Sequence, residues 1–177
     1  LADFRARAAR LAAAFPADVD FFVANAAGCG SAMKEYVHWI DTPATRRVSL
    51  LTRDVSELLV DAELPLHPLD VTVTYHDACH LAHGQRIRAE PRELLRRIPG
   101  LRLVPLEESD LCCGSAGIYN LVHPDVADRL LDRKLGRIAE TGARVVAAGN
   151  PGCLLQIAKG ARERGVDLEV VHPVELL

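Results

Sequence analysis

Strand-length apolar runs alternate with helical periodicity along residues 71–177, and this alternation restricts the chain more than any single residue does. "VTVTY" (71–75) sets Val71, Val73 and Tyr75 on one face of a strand. A loop follows, and then Pro91 opens the helix "PRELLRRI", with Gly100 beyond its end. "LRLVPL" (101–106) is the next strand, and Pro124 opens a long helix that stops at Gly142. "RVVAA" (144–148), "LLQIAKGARER" (154–164) and "LEVVH" (168–172) read as strand, helix and strand, and "PVELL" begins a further helix. The pattern predicts an α/β fold: a mainly parallel sheet with helices on both faces.

The upstream segment reads as helix (1–14), strand (20–26), helix (30–40) and one long helix (43–62). Phe4, Ala8, Leu11 and Phe15 form the expected buried face of the first helix. Pro65 and Pro68 mark residues 63–70 as a linker. "FFVANAAGCG" (21–30) aligns with "VVAAGNPGCL" (145–154), so that Cys29 matches Cys153 in a strand–Gly–Cys–helix unit. This predicts an internal pseudo-repeat, with residues 1–62 as the back half of one unit and residues 71–177 as a complete second unit.

Bulk properties exclude several function classes. A hydrophobic content of 49% supports one compact domain or two closely fused halves. A net charge of −3 gives no reason to expect nucleic acid as a partner. No apolar run reaches the ~20 residues of a membrane span. The arginine-containing N-terminus reads as an amphipathic helix rather than a targeting segment. Five cysteines, an odd number with no secretory signal, point to the cytoplasm, where clustered thiols bind metal or do redox chemistry.

Cys79 follows the first strand of the second unit, Cys112 and Cys113 follow the next, and Cys153 follows the third. In open α/β sheets the carboxyl ends of the strands share one edge, where ligands bind. Four thiols distant in sequence are therefore expected at one rim. Adjacent cysteines suit a single zinc ion poorly, because zinc ligands usually come in pairs spaced by two to four residues. An iron–sulfur cluster is larger and takes neighbouring thiolates on different iron atoms. A structural Zn site that docks partners and a Cys112–Cys113 thiol–disulfide pair stay open as alternatives. Gly114, Ser115, Ala116 and Gly117 let the backbone approach closely and offer N–H groups to an anion. His76, His80 and His83 surround Cys79 as candidate ligands, donors to sulfide or proton relays, or as ordinary polar loop residues. Asp77 reads as a loop cap, and no residue is singled out as catalytic.

"YHDACHLAHGQ" around Cys79, "LCCGSAGIYNL" with Cys112, Cys113 and Gly114, "GNPGC" ending at Cys153, and "GCGSAMKEY" with Cys29 carry a resemblance. The chain resembles, along essentially its whole length, the cysteine-rich CCG domain family. The family pattern is a lone Cys, a long gap, Cys-Cys-Gly, another long gap and Cys-x-x-Cys. The wording is most like that of the iron–sulfur subunit of glycolate oxidase (glycolate dehydrogenase). Related domains occur in anaerobic glycerol-3-phosphate dehydrogenase, lactate-utilisation proteins and heterodisulfide reductase.

The resemblance implies an electron-transfer module of an oxidoreductase complex, itself non-catalytic. Flavin-containing subunits would oxidise glycolate or lactate, and electrons would pass on to a quinone-type acceptor. It implies a place in the cytoplasm or on the inner face of the cell membrane. The implied cluster ligands are Cys79, Cys112, Cys113 and Cys153. Cys29 corresponds to the last cysteine of the first repeat, and with that repeat's front half missing a free thiol is the other reading. Position 150 is Asn, and its repeat equivalent is Ala26, where the family's last motif begins with Cys. Four thiolates suit an ordinary [4Fe–4S] cluster or Zn²⁺ rather than the noncubane cluster proposed for other family members. The expected upstream C-x₂-C-x₂-C-x₃-C runs do not occur, so the chain reads as a carboxyl-terminal part.

Overall fold

Four parallel strands lie in the order β4–β3–β5–β6 in the computed structural model, which describes residues 2–177. They are β3 (Thr72–His76), β4 (Arg102–Val104), β5 (Val145–Ala148) and β6 (Glu169–Val171). Val73 pairs with Leu103 on one side and with Val145 on the other. β3 and β5 are buried along almost their whole length because helices cover both faces.

On one face, α6 (Glu90–Arg97) and the residue after it bring Leu95 and Ile98 against Val73, Tyr75, Val145 and Ala147. On the other, after the short α7 (Tyr119–Val122), α8 (Pro124–Glu140) and α9 (Pro151–Glu163) bring Leu131, Ile138, Ile157 and Ala161 against Val146 and Ala148. The residues alternate between the two layers as a strand's period of two requires. This is the α/β sheet that the alternation predicts.

β1 (Phe22–Ala24) and β2 (Thr52–Asp54) form a separate two-stranded parallel sheet. It packs with α1 (Ala2–Ala14), α2 (Ala27–Lys34), α3 (Tyr36–Trp39), α4 (Pro43–Leu51) and α5 (Val55–Leu59). Its core joins Ala8, Ala12, Phe22, Tyr36 and Val48. Residues 63–70 carry no regular structure, and Leu66 and Leu69 lie against the β3 face. Arg97 donates to the carbonyls of Leu59, Val60 and Ala62, which ties the end of α5 to α6.

Several local expectations change. The long helix over 43–62 is two helices with β2 between them, because Thr52–Asp54 pair with β1. Asp54 then caps α5 reciprocally with Glu57, an Asp-x-x-Glu signal present in the sequence. The buried stripe of α1 runs through Ala8 and Ala12, while Leu11 is exposed and Phe4 packs edge-on against Trp39. The loop after β3 contains a π-helix over His80–Gln85, closed by Arg86 at φ 61°. α2 and α9 begin three residues earlier than expected, at Ala27 and Pro151. The C-terminal helix is a short 3₁₀ turn, Pro173–Leu176.

β3 connects onward to β4 on one side of the sheet, and β5 connects to β6 on the other. A crevice opens outside the carboxyl ends of two strands whose connections diverge in this way. In this chain that place lies beyond His76 and Ala148.

Candidate metal centre

The crevice is a cavity of about 290 Å³, and all five cysteines line it together with His76, His80, Ser115 and Asn150. Four segments build it, one of them the start of α2 with Ala26, Gly28 and Cys29. β3 ends in His76, and Cys79 stands at the residue just before the π-helix that follows. The turn after β4 carries Cys112 and Cys113. Cys153 sits in the first turn of α9, whose N-terminus favours a thiolate, rather than in a loop before it.

His76, Cys113 and Cys153 are fully or almost fully buried, and their ligand atoms lie within 4.8 Å of one another. Neither ring nitrogen of His76 has a hydrogen-bond partner, although the residue is 0% exposed. A buried polar group left so is costly unless something else binds it. Cys79 and Cys112 lie outside this tight trio, on the same cavity and half-buried. Cys29 is exposed and reaches the cavity from the first turn of α2.

The sulfurs polarise one another. Cys112 lies well below the usual thiol range because the Cys113 and Cys79 side chains stabilise its thiolate, helped by the Gly114 N–H at 3.3 Å. Cys153 is also lowered, first by Cys113 and against the opposing effect of burial. Cys79 and Cys113 are pushed up, each by Cys112 first and by burial. Thiolates beside a buried imidazole with free nitrogens are a donor set that fits a thiolate-ligated metal group.

Gly114 does not line the cavity. It stands at φ +93°, and a Cβ there would meet the Ala127 carbonyl oxygen at 2.5 Å. Its part is to bring the double-cysteine turn against α8 and to donate to the Cys112 sulfur.

The three histidines separate. His76 faces the trio. His80 is exposed, with Nδ1 3.6 Å from the Cys79 sulfur. His83 turns away to the Asp110 carbonyl and Arg88. The π-helix holds this arrangement because Gly84 and Gly30 let it lie against α2. The Gln85 amide donates to the Ala27 carbonyl at 3.0 Å.

Sequence reasoning passed over Lys134. It is fully buried and donates to the carbonyls of Glu108 (2.5 Å) and Ser109 (3.2 Å), which fixes the approach to the double cysteine. Burial lowers its pKa. The signal was available, since Lys134 falls within the apolar stripe of Ala127, Leu131, Leu135 and Ile138.

Residues 73–158 match the family model described as the CCG cysteine-rich domain. These residues are a CCG domain. Beyond its limits, 93% of the chain is 39% identical to a probable glycolate oxidase iron-sulfur subunit of Bacillus subtilis, covering 40% of that protein. The glycolate oxidase iron-sulfur subunit of Escherichia coli is 35% identical over 84% of the chain, which covers 38% of it. Lactate utilization protein A of Geobacillus kaustophilus is 29% identical over 91% of the chain, which covers 71% of it. The chain thus spans well under half the length of the first two relatives. The CCG domain contains four of the five cysteines, and Cys29 lies outside it. No helix among the described residues is long and apolar enough to cross a membrane.

Proposed function

We propose that the chain holds an iron–sulfur cluster and passes electrons within a 2-hydroxy-acid-oxidising complex. The observation that carries this reading is the meeting of Cys79, Cys112, Cys113 and Cys153 around one cavity, beside a buried His76 with no partner. The relatives add support, because two are named as iron–sulfur subunits of glycolate oxidase, one of them as a probable one. Residues 1–62 are proposed as the back half of a first repeat, joined through 63–70 to a whole second repeat over 71–177.

A bound cluster supplies one-electron chemistry. The chain's own residues would do the rest. Four thiolates would hold the group, in a number that suits a [4Fe–4S] centre. The Gly114 N–H would offset charge on Cys112. His76 would act as a further ligand or as a donor to sulfide, on the buried side with Cys113 and Cys153. Cys79 and Cys112 form the half-buried edge, the side from which a partner's redox group would approach. In this reading a flavin-containing subunit oxidises glycolate or lactate, and a quinone-type acceptor takes the electrons.

The test is anaerobic purification followed by iron, sulfide and zinc analysis. Brown protein with matching iron and acid-labile sulfide, and a paramagnetic signal on reduction, is the expected result. Colourless protein with stoichiometric zinc and no sulfide would overturn the reading. So would metal-free protein that forms a Cys112–Cys113 disulfide.

A further inference from the structure

Asn150 stands where the family's last motif has its first cysteine, and it is engaged on both sides. Its Oδ1 accepts the backbone N–H of Gly28 at 3.1 Å. Its Nδ2 lies 3.7 Å from the Cys153 sulfur as a donor. The amide orientation follows from chemistry: a backbone N–H can only donate, so the oxygen must face Gly28 and the NH₂ must face the sulfur. A second bond, Ala27 N–H to the Gly149 carbonyl at 3.0 Å, fastens the first turn of α2 to the same turn. Gly152 lets the double-cysteine turn approach the start of α9, since a Cβ there would meet the Ser115 hydroxyl at 2.9 Å. The donor is therefore held from two directions, by α9 and by α2.

We propose that Asn150 is a positioning residue that raises the reduction potential of the centre held by Cys153. This rests on the iron–sulfur reading above. A hydrogen bond to a ligand sulfur strengthens as negative charge accumulates there, so it favours the reduced state. An additional thiolate at position 150 would act in the opposite direction by adding negative charge. The substitution of Asn for Cys thus replaces a charged ligand with a neutral donor. The link through Oδ1 makes that donor depend on how α2 is seated.

Asn150→Asp and Asn150→Ala separate the parts. Aspartate keeps an oxygen for Gly28 but loses the donor and adds charge, whereas alanine loses both contacts. Iron and sulfide content and the midpoint potential, from a dye-mediated redox titration, are measured anaerobically on each variant and on the unaltered protein. The expected result is full iron and sulfide in all three, with the midpoint shifted down in Asn150→Ala and further down in Asn150→Asp. An unchanged or raised midpoint in Asn150→Ala, with iron and sulfide intact, overturns the proposal whatever Asn150→Asp does, because the added charge lowers the midpoint by itself, and it leaves the iron–sulfur reading standing. Loss of iron in both variants makes Asn150 a structural residue and also overturns it. Absence of iron and sulfide from the unaltered protein overturns both.

Discussion

Arg92 grips Asp77 through two parallel N–H···O bonds of 2.7 and 2.5 Å, one residue beyond the buried His76. The Asp77 side chain is 2% exposed; its pair with Arg92 ties the end of β3 to α6, and its backbone N–H donates to the Ser109 carbonyl, which ties it to the turn that leads into the cysteines. Arg92 also lies over the Tyr75 ring, 4.9 Å from its centroid. Asp77 is therefore more than a loop cap: it is half of a bidentate pair that fixes the wall of the cavity.

Burial alone would raise the Asp77 carboxyl, but Arg92, with Ser109 and Arg88, brings it below its ordinary value. A depressed carboxyl stabilises the fold above the ordinary carboxylate pKa, and that stability is lost as pH falls through the folded value. Arg92→Met should cost about 3 kcal/mol at neutral pH, because it leaves a buried carboxylate unpaired. The difference from the unaltered protein should shrink on acidification. Urea unfolding at neutral pH and in the carboxylate range checks this. A gap that stays constant with pH would show that the pair carries no such linkage.

Asp54 has the opposite sign. It is 2% exposed, its Oδ1 takes the Ser56 N–H and hydroxyl, and its Oδ2 has no partner. Burial raises its pKa. The associated stability is full below the ordinary carboxylate pKa and declines as pH rises through the folded value. Asp54→Asn, which keeps the oxygen for Ser56, should stabilise the protein at neutral pH and remove that decline. Thermal melts across the pH range read both effects.

Gly114 and Gly117 both have positive φ, 93° and 69°, but only Gly114 lacks room for a side chain. Gly117→Ala should cost about 1 kcal/mol, the left-handed penalty alone. Gly114→Ala adds the clash with the Ala127 carbonyl and should cost about 3 kcal/mol or more. Equal melting temperatures for the two variants would mean that the turn relaxes away from α8.

The thiols should differ in reactivity in metal-free, reduced protein. Cys29 is exposed and Cys112 is half-buried with thiolate character, whereas Cys113 and Cys153 are 1% and 3% exposed. Iodoacetamide at neutral pH should modify Cys29 and Cys112 first, and Cys113 and Cys153 only on denaturation. Peptide mass mapping with time gives the order. Early labelling of Cys153 would contradict the closed cavity.

The sequence by itself determined the kinds of elements and the end of the sheet at which the cysteines gather. Periodicity reports which face of an element is apolar, and the spacing of Cys79, Cys112 and Cys153 after successive strands follows from that alone. It did not separate His76 from His80 and His83, because three histidines within eight residues look alike until β3 holds the first in the buried end of the sheet and the π-helix carries the other two outward. Nor did it find β2 inside an apparent helix, since the hydrogen bonds that make Thr52–Asp54 a strand come from β1. Asn150 read as a missing ligand, and only the tertiary structure gave it partners, one of them 122 residues away. Local patterns encode what neighbours in sequence do. Which side chain turns into the cavity is decided by packing between segments that meet only when the chain is folded.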